Sequence, residues 1–89
     1  MENTKTVNMP QYQCHKRVWA HKIRQIDSPT GSDVIITPVD SNYEPFHVSH
    51  DFIDKHRPQV SGYYVRYEDG YESYSPEEPF ESGYTLIAR

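Results

Sequence analysis

The strongest constraint on how this chain folds is the segment at residues 62–75, which reads GYYVRYEDGYESYS. Two tyrosine-rich runs flank Asp69-Gly70, a pair that accepts the positive φ angles of a two-residue type I′ turn. The segment therefore predicts a β-hairpin in which Arg66 lies opposite Ser73. Alternation along the two strands then places five side chains on one face: Tyr64, Arg66, Glu68, Tyr71 and Ser73.

A second pair of strands is predicted nearer the N-terminus. Residues 34–39 are rich in β-branched side chains and follow turn-forming residues at 28–32. Residues 17–27 contain neither glycine nor proline, but their apolar positions fit helical spacing as well as a strand. No convincing N-cap precedes residue 17, so the sequence favours a strand here, with a helix as the open alternative.

Two short helices are predicted after residues that can cap them. Ser49 can accept hydrogen bonds from the first free N–H groups of a helix over residues 50–56. Residues 75–78 read Ser-Pro-Glu-Glu, the pattern of a capping box, which predicts a single helical turn near 76–82. A closing strand over residues 84–87 is predicted to follow that turn.

These elements together predict a small, mainly β domain of the α+β class. A chain of 89 residues has apolar surface for one core and little more. The expected architecture is an SH3-like partly open barrel or a curved antiparallel sheet of four to five strands, with two short helices. Residues 1–13 are polar and without periodicity, which predicts a flexible N-terminal arm before a single β-rich domain at 14–89.

Composition and charge narrow the environment and the classes of partner. Residues 1–27 carry a net charge of +3 and the rest of the chain −7, a balance that disfavours binding to nucleic-acid backbones. The single cysteine, Cys14, cannot form an internal disulfide, which indicates a reducing, intracellular compartment such as the cytoplasm. No apolar run approaches membrane-spanning length, so we expect no membrane partner.

Candidate metal and catalytic residues do not form recognisable patterns. Five histidines and Cys14 are scattered, whereas structural zinc sites need ligands at paired, short spacings. Ser49 and Ser75 are explained as helix caps. No other nucleophilic side chain belongs to a recognisable set with a base and an orienting group. The sequence therefore predicts no metal site, no cofactor and no enzymatic activity.

Two groups of residues are candidates for binding. The hairpin face, with its tyrosines and Arg66, offers rigid stacking area and a guanidinium that can pair with phosphate or carboxylate. Its alternative role is cross-strand pairing, in which Arg66 and Glu68 neutralise each other. Lys55, His56 and Arg57 form a basic cluster that could receive an anionic ligand, or simply complement the dipole at the end of a helix.

The chain resembles a family of small phage and prophage proteins. The resemblance is carried mainly by residues 62–76 and 80–84, and further matching segments are Lys16–Ala20, Ile36–Pro38, Tyr43–Val48 and Lys55–His56 before Pro58. It extends over roughly residues 12–87, with departures at Ser61 and Pro79. The resemblance implies a phage origin.

Small phage proteins without catalytic motifs often act on host defences, and by analogy the same is expected of this chain. We therefore expect a non-enzymatic binding protein that interferes with a bacterial defence or another host process by binding a host protein. One alternative is an oligomeric sponge for a small nucleotide, with pockets that combine Tyr64 or Tyr71 with Arg66 and residues 55–57. Another is a structural or assembly module of the virion. The surplus of tyrosine also favours homo-oligomerisation.

Overall fold

The computed structural model describes residues 9–12, 16–28 and 34–87. The elements in these residues are β1 (Val18–Asp27), β2 (Val34–Pro38), β3 (Phe46–Val48), α1 (His50–His56), β4 (Tyr63–Tyr67), β5 (Glu72–Ser75) and α2 (Glu77–Gly83). The strands form one antiparallel sheet in the order β3-β2-β1-β4-β5, curled into a half-barrel. The predicted α+β class with a curved antiparallel sheet is confirmed.

Some sequence predictions fall on residues outside these described ranges. The predicted arm at 1–13 lies mostly outside the described residues, and Cys14 lies wholly outside them. The same holds for most of the turn predicted at 28–32.

The long strand β1 joins the two halves of the sheet. Its first part, Val18–Lys22, pairs with β4, and its second part, Ile23–Asp27, pairs with β2. A register shift between Ile23 and Gln25 marks an irregularity at the change of partner, the position where a bulge bends a strand and increases its twist. These residues thus form the strand that the sequence favours, and not the alternative helix.

The core lies against the face of the sheet that α1 covers. It consists of Ile23, Val34, Ile36, Val48, Phe52 and Tyr64. The helix begins as predicted, because the Ser49 hydroxyl accepts a hydrogen bond from the Phe52 N–H at 3.0 Å. It ends at Arg57, whose φ of 46° is left-handed and whose N–H donates to Ile53 O.

The hairpin of β4 and β5 forms, but its predicted register is wrong by one residue. Arg66 lies opposite Glu72, and Ser73 lies opposite Val65. The connection has three residues rather than two, because the Tyr67 N–H bonds to Tyr71 O and the Gly70 N–H bonds to Tyr67 O, both at 2.9 Å.

Gly70 explains the longer loop. It has a φ of 91°, whereas Asp69 is not among the described residues with positive φ. A type I turn followed by a glycine with positive φ is the usual three-residue connection, while a type I′ turn needs positive φ at both central residues. The shift moves Tyr74 onto the face of Tyr64 and Arg66, and moves Ser73 onto the opposite face.

The C-terminal predictions are corrected in three ways. The capping box is absent, since Pro76 is the N-cap of α2 and makes no side-chain hydrogen bond. The helix is also longer than the single turn predicted. Residues 84–87 form no strand, and β3 is the additional strand instead. Tyr84 continues the packing of α2, because its ring stacks on Phe80 at 4.5 Å.

The helix α2 is held to the outer face of the sheet by rings and charges. The Phe80 ring stacks on Tyr63 of β4 at 4.0 Å. Lys22 of β1 donates to Glu77 and Glu81, both at 3.0 Å, and the Tyr63 hydroxyl donates to Glu81 at 2.7 Å. Tyr63 therefore contributes both a stacking surface and a hydrogen bond to the same contact.

The hydrogen bond from Tyr63, followed by that from Lys22, lowers the pKa of Glu81 from its ordinary value of 4.5. Because the pKa of Glu81 is lower in the folded than in the unfolded chain, its ionised carboxylate stabilises the fold fully at pH values above the unfolded-state pKa. This stabilisation is lost as pH falls through the folded-state pKa. We expect Tyr63→Phe to raise the pKa of Glu81 while keeping the ring stack. NMR titration of the Glu81 carboxyl group measures this pKa in Tyr63→Phe and in the control variant Glu78→Gln. An unchanged pKa of Glu81 in Tyr63→Phe would show that the tyrosine hydroxyl does not lower it.

Candidate functional site

One candidate surface, the tyrosine–lysine patch, consists of Lys16, Lys55, His56, Tyr67 and Tyr71. The rings of Tyr67 and Tyr71 are nearly parallel, at 7°, with centres 5.8 Å apart. Lys16 Nζ lies 4.9 Å from the centre of the Tyr67 ring, and Lys55 Nζ lies 5.2 Å from that of Tyr71. His56 approaches Tyr71 edge-on at 6.3 Å. These are cation–π distances, so each ammonium group is held against a ring.

The patch is open to solvent, and its two lysines are exposed. Tyr71 is 44% exposed, and both lysines are exposed. Neither lysine forms an ion pair with a carboxylate in the part of the chain that the structure describes. The loop residues Glu68 and Asp69 are also exposed nearby in sequence, so the surface presents both signs of charge.

The predicted binding residues are divided between several places. Tyr71, Lys55 and His56 come together in the patch, because α1 packs against β5. Tyr64 and Arg66 belong to a separate groove. The remaining three predicted residues take other positions: Glu68 lies in the loop, Ser73 faces Val65, and Arg57 caps α1.

The second candidate surface, the Trp19 groove, has a volume of about 630 Å³. Its lining includes Trp19, His21, Tyr43, Phe46, His47 and Arg66. The pairing of β1 with β4 sets Trp19 opposite Arg66 and His21 opposite Tyr64, so these four side chains share one face. Trp19 is 63% exposed although it lies within a strand.

Aromatic rings in mutual contact make the groove rigid. The His21 ring lies 4.9 Å from that of Tyr43 and 5.4 Å from that of Phe46. Phe46 in turn packs on Tyr64 at 4.7 Å, and Tyr64 belongs to the core. The surface beside Trp19 is therefore anchored to the core through a chain of ring contacts.

A hydrogen-bonded network borders the groove. The Tyr64 hydroxyl donates to the Glu72 carboxylate and accepts from Arg66 Nη2 at 2.9 Å. Arg66 also lies 3.5 Å from Glu72. The cross-strand neutralisation expected for Arg66 thus occurs, but its partner is Glu72 rather than Glu68, as the corrected register requires.

Burial shifts the pKa values of two side chains that line the groove, Tyr64 and His21. It raises the pKa of the Tyr64 phenol, and the hydrogen bond to Glu72 acts in the same direction. Burial lowers the pKa of His21, against the raising effect of Asp40. His21 is therefore neutral at pH 7, and the groove presents aromatic rings, a paired guanidinium and the carboxylate of Glu44.

The part of the chain that the structure describes contains neither a cluster of metal-ligating side chains nor a helix that could span a membrane. No group of three or more His, Cys, Asp or Glu side chains within residues 9–12, 16–28 and 34–87 could hold a metal ion. No helix in the same ranges is long and apolar enough to cross a membrane.

The fold and these two surfaces define a small α+β domain that exposes aromatic side chains to solvent. No protein-family model and no curated protein matches its sequence. A solved structure does match: the monomeric form of the phage L decoration protein, determined in solution by NMR. The TM-score is 0.62 at 26% identity, over 79% of this chain and 52% of that one. This chain therefore spans about half the length of the phage protein it resembles.

Proposed function

We propose that this chain is a non-enzymatic structural protein of a phage, which attaches to the surface of the phage particle. The observation that carries the proposal is the similarity to the phage L decoration protein across 79% of this chain. The similarity favours the virion module, given above as an alternative, over interference with a host protein. A cytoplasmic host partner and homo-oligomerisation stay predictions.

The nucleotide sponge is less well supported by the arrangement of its expected residues. It requires a pocket that combines Tyr64 or Tyr71 with Arg66 and the basic cluster. Within one chain, Arg66 is hydrogen-bonded to Tyr64 and paired with Glu72, whereas Tyr71 lies with Lys55. A guanidinium already countered by a carboxylate is a poor receptor for phosphate.

The tyrosine–lysine patch supports attachment to another protein surface. Tyrosine contributes large contact area with few torsions to fix, and it is enriched among the residues that dominate binding energy. Lys16 and Lys55 are already positioned by the rings of Tyr67 and Tyr71, so little side-chain entropy is lost on binding. We expect the particle surface to present acidic side chains to these lysines.

The test mixes the purified chain with particles of the phage that encodes it, assembled in the absence of its gene. Gradient sedimentation is expected to show saturable co-sedimentation. Lys55→Glu combined with Tyr71→Ala should weaken binding by a factor of about 30 or more, equivalent to about 2 kcal/mol. Arg24→Glu makes the same charge change at an exposed position on β1 outside the patch, and it should bind as the unmodified chain does.

Two outcomes decide between the parts of the proposal. If the chain stays at the top of the gradient at all concentrations, attachment to the particle is wrong. If it co-sediments and both variants bind equally well, attachment holds but the tyrosine–lysine patch is not the contact.

A further inference from the structure

The Trp19 groove has a different chemistry from the patch and shares no residue with it. We propose that this groove binds a neutral saccharide, with the face of a sugar ring stacked on the indole of Trp19. The inference goes beyond attachment to a particle and does not depend on it. Tyr67 of the patch follows Arg66 in β4, so the two side chains point to opposite faces of the sheet.

The shape and rigidity of the groove suit a small ligand. Its volume of about 630 Å³ lies within the range of sites that hold small molecules. Trp19 and Tyr43 are 63% and 46% exposed, and the ring of His21 packs against those of Tyr43 and Phe46. A flat, exposed indole beside fixed rings offers the apolar surface on which the C–H face of a pyranose can pack.

The charges of the groove favour a neutral ligand over an anion. The Arg66 side chain is 54% exposed, but Glu72 lies 3.5 Å from its guanidinium. Glu44 adds a further carboxylate to the lining, and His21 carries no charge at neutral pH because burial lowers its pKa. A phosphate would therefore meet no uncompensated cation among these groups.

Hydroxyl groups fit this set of polar side chains. Each hydroxyl can donate and accept, so it can accept from the free N–H groups of Arg66 and donate to Glu44. His47 lies in the same lining and adds an imidazole that can take either part. A polyhydroxylated ring thus satisfies donors and acceptors that surround an aromatic surface, which a purely apolar ligand would leave unpaired.

Trp19 is the single tryptophan of the chain, so its fluorescence reports on the groove directly. The test titrates the full chain with oligosaccharides of glucose, mannose, N-acetylglucosamine and rhamnose. At least one should shift the emission in a saturable way, with a dissociation constant of about 0.1–1 mM. No shift with any of them up to about 10 mM would overturn the proposal.

Variants and a second ligand distinguish stacking on Trp19 from binding elsewhere on the chain. Trp19→Ala should weaken the oligosaccharide at least about tenfold by saturation-transfer NMR, the loss of about 1.4 kcal/mol. Trp19→Tyr should recover part of the affinity, and Tyr12→Ala, which removes a ring that is 89% exposed, should leave it unchanged. Tighter binding of a thymidine oligonucleotide than of any saccharide would show an anion site and contradict the proposal.

Discussion

Replacing Ile23 with alanine is expected to lower the free energy of unfolding by about 3 kcal/mol. Ile23 has 0% exposed surface and lies where β1 changes its partner strand. Its N–H donates to Gly62 O at 2.9 Å, and its carbonyl accepts from the Ser61 N–H at 2.8 Å. The backbone is therefore held in place, so the surroundings cannot easily collapse into the cavity that the smaller side chain leaves.

Denaturant unfolding of the variant and the unmodified chain measures this loss. Domains of this size are stable by about 5–15 kcal/mol, so a large share of the total is at stake. The neighbouring exposed residue provides the control, because Arg24→Ala should change stability by less than about 0.5 kcal/mol. A loss below about 1 kcal/mol for Ile23→Ala would show that the core is not centred at this position.

The elements that the sequence predicted well depend on local signals. Ser49 caps α1 because its hydroxyl lies within reach of the Phe52 N–H, a contact that residues three apart can make without help from the rest of the fold. The hairpin at residues 62–75 likewise follows from strand-forming runs around Asp69-Gly70. Local chemistry is sufficient for both, and both are present in the structure.

The register of that hairpin could not be predicted from its turn residues. An Asp-Gly pair fits a two-residue turn, and it also fits a three-residue loop that ends in glycine. In the folded chain, the longer loop brings Tyr67 and Tyr71 into a parallel stack, with Lys16 and Lys55 against the two rings. Lys16 and Lys55 come from distant parts of the sequence. A local pattern at residues 62–75 therefore cannot show that their contacts favour the three-residue loop.

The C-terminal part was mispredicted for a related reason. A closing strand was predicted over residues 84–87, but Tyr84 stacks on Phe80, which stacks on Tyr63. This ladder of rings follows the packing of α2 rather than the edge of the sheet. The additional strand, β3, lies at one edge of the sheet, has only three residues and follows Pro45, so its sequence offers little periodicity to detect.

The two surfaces differ in how far the sequence indicated them. Tyr71, Lys55 and His56 were identified as candidates in separate groups, and the packing of α1 on β5 brings them together. Of the Trp19 groove, Tyr64 and Arg66 were among the candidates, whereas Trp19 and His21 were missed. A usable signal was present, because Trp19 and His21 alternate with the core residue Ile23 and so continue its face past the end of the core.

Replacing Gly62 with alanine is expected to lower the free energy of unfolding by about 2 kcal/mol, through a clash with one ring. A Cβ atom at Gly62 would overlap the hydroxyl and ring carbons of Tyr74, which packs against the core. The backbone cannot retreat easily, because Gly62 O accepts from the Ile23 N–H and its own N–H bonds to Gln59 O.

A double-mutant cycle with Tyr74→Ala tests whether the ring is the cause. When Tyr74 is truncated, the added methyl group at Gly62 has space, and the cost of Gly62→Ala should fall below about 0.5 kcal/mol. Denaturant unfolding of the four chains gives the coupling energy directly. If Gly62→Ala costs the same free energy with Tyr74 present and with Tyr74→Ala, the backbone rather than the ring requires glycine at this position. The contact with Tyr74 would then not limit the size of the side chain at residue 62.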